Sequence, residues 1–174
     1  MSNCYLRDMF FGPIDLNHVN LSGANLIGTN FDSSNLSEAN LPNVNLFNSD
    51  LKNADFSDAN LSDANLSSAD MEKTKLDGAD LSNANLSRVN GDDTKLNDAI
   101  LINANLSDAL MRGAFLSGAN LNGANLSNIK MVSTTLNGAD FTGAILIGAN
   151  FNNSNLEDAI GGPFVGCIGH PLCV

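Results

Sequence analysis

The 174-residue chain has no Trp, one Tyr and only four Pro. A core without large rings is a narrow one, and so few prolines argue against a linker between domains. Two His, near opposite ends of the chain, leave no Ser, His and acid arrangement to suggest. Basic residues are scarce too. Eight Lys and Arg stand against 19 Asp and Glu, a net charge of −11, so direct nucleic-acid binding is not expected, whereas a protein that itself binds DNA is a conceivable partner. No apolar run is long enough to cross a bilayer, and no basic segment, apolar stretch and cleavage site open the chain. A cytoplasmic protein without a membrane partner is the expectation; a secreted, periplasmic or lumenal one stays open if a signal peptide has been removed.

What the chain has is a period. Every fifth residue from Leu16 to Leu156 keeps one register: of 29 positions, 21 are Leu, four are Phe (31, 56, 141, 151), three are Met (71, 111, 131) and one is Gly91. The residue two before each is small or β-branched throughout, and Ala in 17 cases. An α-helix advances roughly 100° per residue, so this period would smear Leu around it. In a strand Ala24, Asn25 and Leu26 point in, out and in, and two further residues must turn the chain. The last residue of the turn is often Gly or Asn, as a type II turn requires at its third position, and Pro42 fits the second. Corners ending in Asp58, Asp63, Asp98, Asp108 or Asp158 suggest a second turn type, so a mixture is expected.

Repeated turning in one sense with apolar residues inward makes a solenoid of stacked coils. Ala59-Asn60-Leu61-Ser62-Asp63 and Ala64-Asn65-Leu66-Ser67-Ser68 resemble the pentapeptide repeat family, and the likeness runs from about residue 14 to 160. The resemblance implies an all-β fold, a right-handed quadrilateral parallel β-helix with four units and 20 residues per coil, about seven coils long. Residues 1–13 read as an N-terminal cap, with Met9, Phe10 and Phe11 as a plug, and 161–174 as a C-terminal cap in which Phe164, Val165, Ile168 and Leu172 fold back. Most members of the family are non-catalytic interaction scaffolds, and that is the first functional expectation, with no cofactor and an unknown protein partner. The alternative comes from the resemblance to quinolone-resistance members, acidic rods that mimic DNA and bind gyrase. Those relatives are usually longer and dimerise through a C-terminal segment; here a monomer or weak homodimer is expected.

Chemistry finds little support. Cys167, His170 and Cys173 are weak metal candidates, lacking a fourth ligand and a recognised spacing; a Cys167–Cys173 disulfide or two packed thiols are the plainer readings. Asp92 with Asp93, or Asp50 stacked on Asp70, lack a pocket that would separate their environments. His18 and Glu38, one coil apart, read as a solvated pair. Gly91 reads as a packing irregularity, with Met71 and Met111 leaning into the gap, rather than as a functional loop.

A 20-residue coil sorts the surface into four faces. With the Leu16 column as face one, and Leu21, Leu26 and Phe31 opening faces two to four, adjacent faces four and one carry 14 acids and six bases, against four acids and one base on the others. On face four, Lys52 is expected to meet Glu72, and Asp92 to meet Arg112. The residue before each Leu is Asn or Asp in 21 of 29 units. The departures Lys75, Lys95, Phe115 and Thr135 form one column, and Ile100, Leu110 and Ile145 add apolar groups at similar heights. A break in the code centred on Leu110, Arg112 and Phe115 is a candidate partner or dimer contact. Ile27 and Phe47 make a smaller apolar pair on face three.

Overall fold

The computed structural model describes residues 4–174. Its backbone is a ladder of parallel bridges, each joining a residue to the one 20 further on, from Tyr5 with Asn25 to Asp140 with Ile160. Four five-residue units therefore make one coil of a parallel β-helix, and neighbouring coils lie about 4.8 Å apart.

The donors of one unit show why the repeat is five residues long. The N–H groups of Leu21 and Gly23 reach the carbonyls of Asn40 and Pro42 in the next coil, both at 2.9 Å, that of Asn25 reaches Cys4 in the previous coil at 2.8 Å, and that of Ala24 closes the turn on Leu21 at 3.0 Å. Only Ser22 is left over. Its N–H donates to the side-chain oxygen of Asn20 at 3.1 Å. The outward Asn or Asp thus closes an Asx turn on the one backbone donor that the ladder leaves. This happens in 19 of the 21 Asn or Asp units. Asn40 has no such donor because Pro42 lacks an N–H, and Asn90 is the other exception.

The expected mixture of corners is absent. From His18 to Asp158 every third corner position has φ between 55° and 73°, with Asp58, Asp98 and Asp108 at 58°, 56° and 59°. Left-handed backbone costs a non-glycine residue on the order of 1 kcal/mol. Three inter-coil hydrogen bonds per unit, each about 1 kcal/mol net, offset that cost, and a corner of another shape would break their register.

From Leu21 onward the inward columns are almost fully buried. The small position admits hydroxyls only where a carbonyl waits: Thr74 Oγ1 donates to Leu51 O at 2.7 Å and Thr94 Oγ1 to Met71 O at 2.8 Å, each in the coil before. No buried side-chain polar atom of the described residues lacks a partner. At Gly91 an added Cβ would collide with Met111 Sδ, so Met111 occupies the missing side chain's place. The ladder passes this point unbroken, with Gly91 N–H to Leu110 O at 2.7 Å.

The two ends differ. Residues 4–13 carry on the five-residue frame, since Tyr5 and Phe10 bridge to Asn25 and Asn30. Of the three residues expected to plug this end, Phe11 alone turns inward, stacking on Phe31 at 4.8 Å, while Met9 and Phe10 are exposed. A cavity of 160 Å³ lined by Leu6, Phe11, Ile14, Leu16, Val19, Leu21, Leu26 and Phe31 remains there. At the other end Phe164 is buried edge-on against Phe141 at 5.4 Å. Val165, Ile168 and Leu172, expected to fold back with it, keep exposed side chains. Ile168 joins the ladder through its backbone, bridging Asn150.

Candidate interaction face

The outward residue holds the cap of its own unit, so replacing it by anything but Asn or Asp removes an acceptor from the N–H two residues on. Eight units have lost it: those of Lys75, Lys95, Ile100, Leu110, Phe115, Lys130, Thr135 and Ile145. In three of them another side chain has taken over. Asp77 Oδ1 accepts the Asn97 N–H at 3.0 Å, Asn97 Oδ1 accepts the Ser117 N–H at 3.1 Å, and Asp92 Oδ1 accepts the Arg112 N–H at 2.9 Å. These serve the units of Lys95, Phe115 and Leu110. Each substitute acceptor lies 18 residues before the residue that broke the code. At the same offset the other five breaks have Ser57, Ser82, Arg112, Ser117 and Ser127, and no substitute cap forms among the described residues.

The compensated breaks are neighbours. Lys95 bridges Phe115, which in turn bridges Thr135, and Leu110, one unit before Phe115, bridges Lys130. Phe115 is 42% exposed, Leu110 is half-buried, and Lys95 and Lys130 are exposed. Arg112, at the corner between Leu110 and Phe115, is held by Asp92, whose Oδ2 accepts from Nε at 2.9 Å. That hydrogen bond, with the attraction of the carboxylate, raises the guanidinium's pKa further. Among the described residues Lys95 and Lys130 have no carboxylate in salt-bridge range.

The remaining candidates lie elsewhere. Lys75, in the same column, is tied to Asp55 Oδ2 at 2.9 Å. Ile100 and Ile145 stand on faces two and three, in the columns of Asn120 and Asn125. Ile27 and Phe47 keep intact caps from Asn25 and Asn45. Reading the departures one at a time missed Lys130 and the three substitute acceptors, although the 18-residue offset was there to be found.

The acidic groups hold cations of the protein itself. Lys52 Nζ lies 3.0 Å from Asp70 and 3.2 Å from Asp50, not on Glu72, which instead takes Lys73 at 2.7 Å. Glu72 is closer to its sequence neighbour, and the stacked aspartates flank Lys52. The hydrogen bond that Lys52 donates to Asp70 is the main cause that holds the lysine's pKa above the ordinary value, against the opposing effect of burial. Burial pushes the Asp55 carboxyl up, but hydrogen bonds from Ser57 and Lys75 outweigh it and hold its pKa down. His18 and Glu38 meet at 3.3 Å in solvent. Cys167 and Cys173 are joined by a disulfide, and His170 Nδ1 accepts the Leu172 N–H at 3.2 Å, so the three form no ligand set. No group of three or more His, Cys, Asp or Glu among the described residues is placed to hold a metal ion. No described helix is long and apolar enough to cross a membrane.

A 20-residue coil of four capped five-residue units defines a class of β-helical solenoid. The model of the family described as pentapeptide repeats matches residues 14–53, 54–90, 92–128 and 130–160, and the chain belongs to that family, whose fold is the right-handed β-helix. Among solved structures it is similar to HetL, a pentapeptide repeat protein involved in heterocyst differentiation regulation from the cyanobacterium Nostoc sp. strain PCC 7120, at 28% identity over 95% of this chain and 87% of that one, with a TM-score of 0.52. A pentapeptide repeat protein from the Arabidopsis thaliana thylakoid lumen is 31% identical over 67% of each chain, with a TM-score of 0.26. Trypsin-treated QnrB1, a plasmid-mediated fluoroquinolone resistance protein, is 20% identical over 92% of this chain and 80% of that one, at a TM-score of 0.39. Comparison with curated protein sequences gives no match.

Proposed function

We propose that this protein is a non-catalytic scaffold that binds a protein partner through the edge where faces four and one meet, with Leu110 on one side of the corner and Lys95 and Phe115 on the other. The observation that carries the reading is the relocation of three backbone caps to Asp77, Asn97 and Asp92. Random loss of the outward Asn or Asp leaves a donor to solvent. Loss with the acceptor rebuilt one coil below frees the outward position for another use while the ladder stays intact. The four corners of each coil give a four-sided cross-section, and residues 14–160 fill about seven coils, a rod roughly 35 Å long. Its faces are flat and its core is filled by Leu, which supports recognition rather than catalysis.

The test is affinity capture with the wild type and Phe115→Asn. Partners recovered by the first and lost by the second are the expected result; identical recovery overturns the reading. Mimicry of DNA for gyrase is the weaker alternative, because Asp50, Asp55, Asp70, Glu72 and Asp92 are engaged by Lys52, Lys75, Lys73 and Arg112 instead of forming an open row of charge. A gyrase supercoiling assay is expected to show neither inhibition nor quinolone protection. On compartment, the Cys167–Cys173 bridge favours an oxidising one over the cytoplasm expected from the sequence. Light scattering is expected to find a monomer, or a dimer only at high concentration.

A further inference from the structure

Charge is distributed along this rod in a way that the net value hides. Residues 50–98 hold 11 of the 19 acids, but residues 109–139, more than one and a half coils, hold none. Within that stretch stand Arg112 and Lys130, and Lys95 lies just below it under Phe115. Arg112 is matched by Asp92, whereas Lys95 and Lys130 face solvent without a carboxylate partner among the described residues. Lys130 stands one coil above Leu110 and Lys95 one coil below Phe115, so two unpaired cations flank the apolar pair on a protein that is negative overall.

We infer that the occupant of this face is an acidic peptide segment carrying an aromatic or branched aliphatic residue, its side chain on Leu110 and Phe115 and its carboxylates on Lys95 and Lys130. The inference rests on the reading of this face as an interface and adds the chemistry of the partner. Two terms act together. Leu110 and Phe115 supply apolar area at the centre, and the two lysines, having no partner to give up, meet incoming carboxylates without breaking an ion pair. A basic segment is drawn to residues 50–98 instead, where its contacts do not depend on Phe115. A phosphate-rich nucleic acid meets the same lysines but also the −11 net charge of the whole rod.

The test selects a displayed library of random dodecapeptides on the full chain, counter-selects it on Phe115→Asn, and measures synthetic peptides from the enriched set by fluorescence anisotropy. Asn occupies the same place in many intact units, so the variant is expected to fold, which its circular dichroism and melting temperature check. The expected result is a set of net-negative peptides with an aromatic or aliphatic residue, bound about tenfold more weakly by Phe115→Asn and also weakened by Lys95→Glu or Lys130→Glu. Phe115-dependent peptides that are neutral or basic, or that tolerate both charge reversals, overturn the inference and leave the face as an interface. An enriched set with no dependence on Phe115 overturns the interface itself. Concentration-dependent self-association abolished by Phe115→Asn assigns the face to a second copy and also overturns the inference.

Discussion

Two stretches of one rod share a core, a corner and a ladder, yet differ on the outside. From Asp15 to Asp70 every outward residue is Asn or Asp; all eight departures fall between Lys75 and Ile145. In the first stretch the Asx turns cap their own units, and amides also link coils, as Asn60 Nδ2 does to Asn40 Oδ1 at 3.4 Å. In the second stretch the cap is in places absent, in places supplied by Asp77, Asp92 or Asn97 from the coil below. The ladder thus runs on with the cap or without it, and where a cap is kept its acceptor need not come from the unit's own outward residue.

The largest effect is expected where the second stretch also departs inside. Met111 covers the space that Gly91 leaves, so Met111→Ala opens a gap two side chains wide. It is expected to cost about 4 kcal/mol, at the high end for such truncations, and more than Met131→Ala. Urea unfolding of both variants measures the difference, and equal losses mean that Gly91 leaves no special gap.

Removing caps comes next. Asn60→Ala strips the regular stretch of the acceptor for the Ser62 N–H, and Asn97→Ala strips the second stretch of the acceptor for Ser117. Each is expected to cost about 1 kcal/mol, whereas Lys95→Ala is expected to cost almost nothing, because Lys95 caps nothing. Thermal melts rank the three, and a Lys95→Ala loss as large as that of Asn97→Ala goes against the relocated cap.

A smaller effect depends on pH at the boundary of the two stretches. Asp55 is held below its ordinary pKa of 3.8 by Ser57 and Lys75 against the effect of burial. Its contribution to stability is therefore complete above that ordinary value and disappears as pH falls through the lower value of the folded protein. Lys75→Ala is expected to flatten this part of the stability profile, read by melting temperature between about pH 5 and 2. An unchanged profile assigns no such part to the Lys75 contact.

The fold was legible because Leu, Ala and the corner residues recur without a slip, and a period of five is compatible with one backbone. The uniform φ of the corners was not, because Asp58 or Asp98 seen alone allows several turns; it is the neighbouring coils that impose one shape. The partner of Lys52 was misassigned because column position gives height along the rod but not the direction of a flexible side chain. The face at Phe115 was visible as broken code, yet the code's meaning was not. It follows from counting donors in one unit and finding that only the N–H of a residue such as Ser22 needs Asn20.

Phe115→Asn restores the local acceptor and is expected to leave the protein as stable or slightly more so, even as it removes the binding face. This gives the central claim, that Asn97 caps Ser117 because Phe115 cannot, its direct measurement: a double-mutant cycle of Asn97→Ala with Phe115→Asn, followed by urea unfolding. Loss of Asn97 is predicted to cost about 1 kcal/mol beside Phe115 and close to nothing beside Asn at that position, a coupling of about 0.5–1 kcal/mol. Additive costs, within about 0.3 kcal/mol, contradict it.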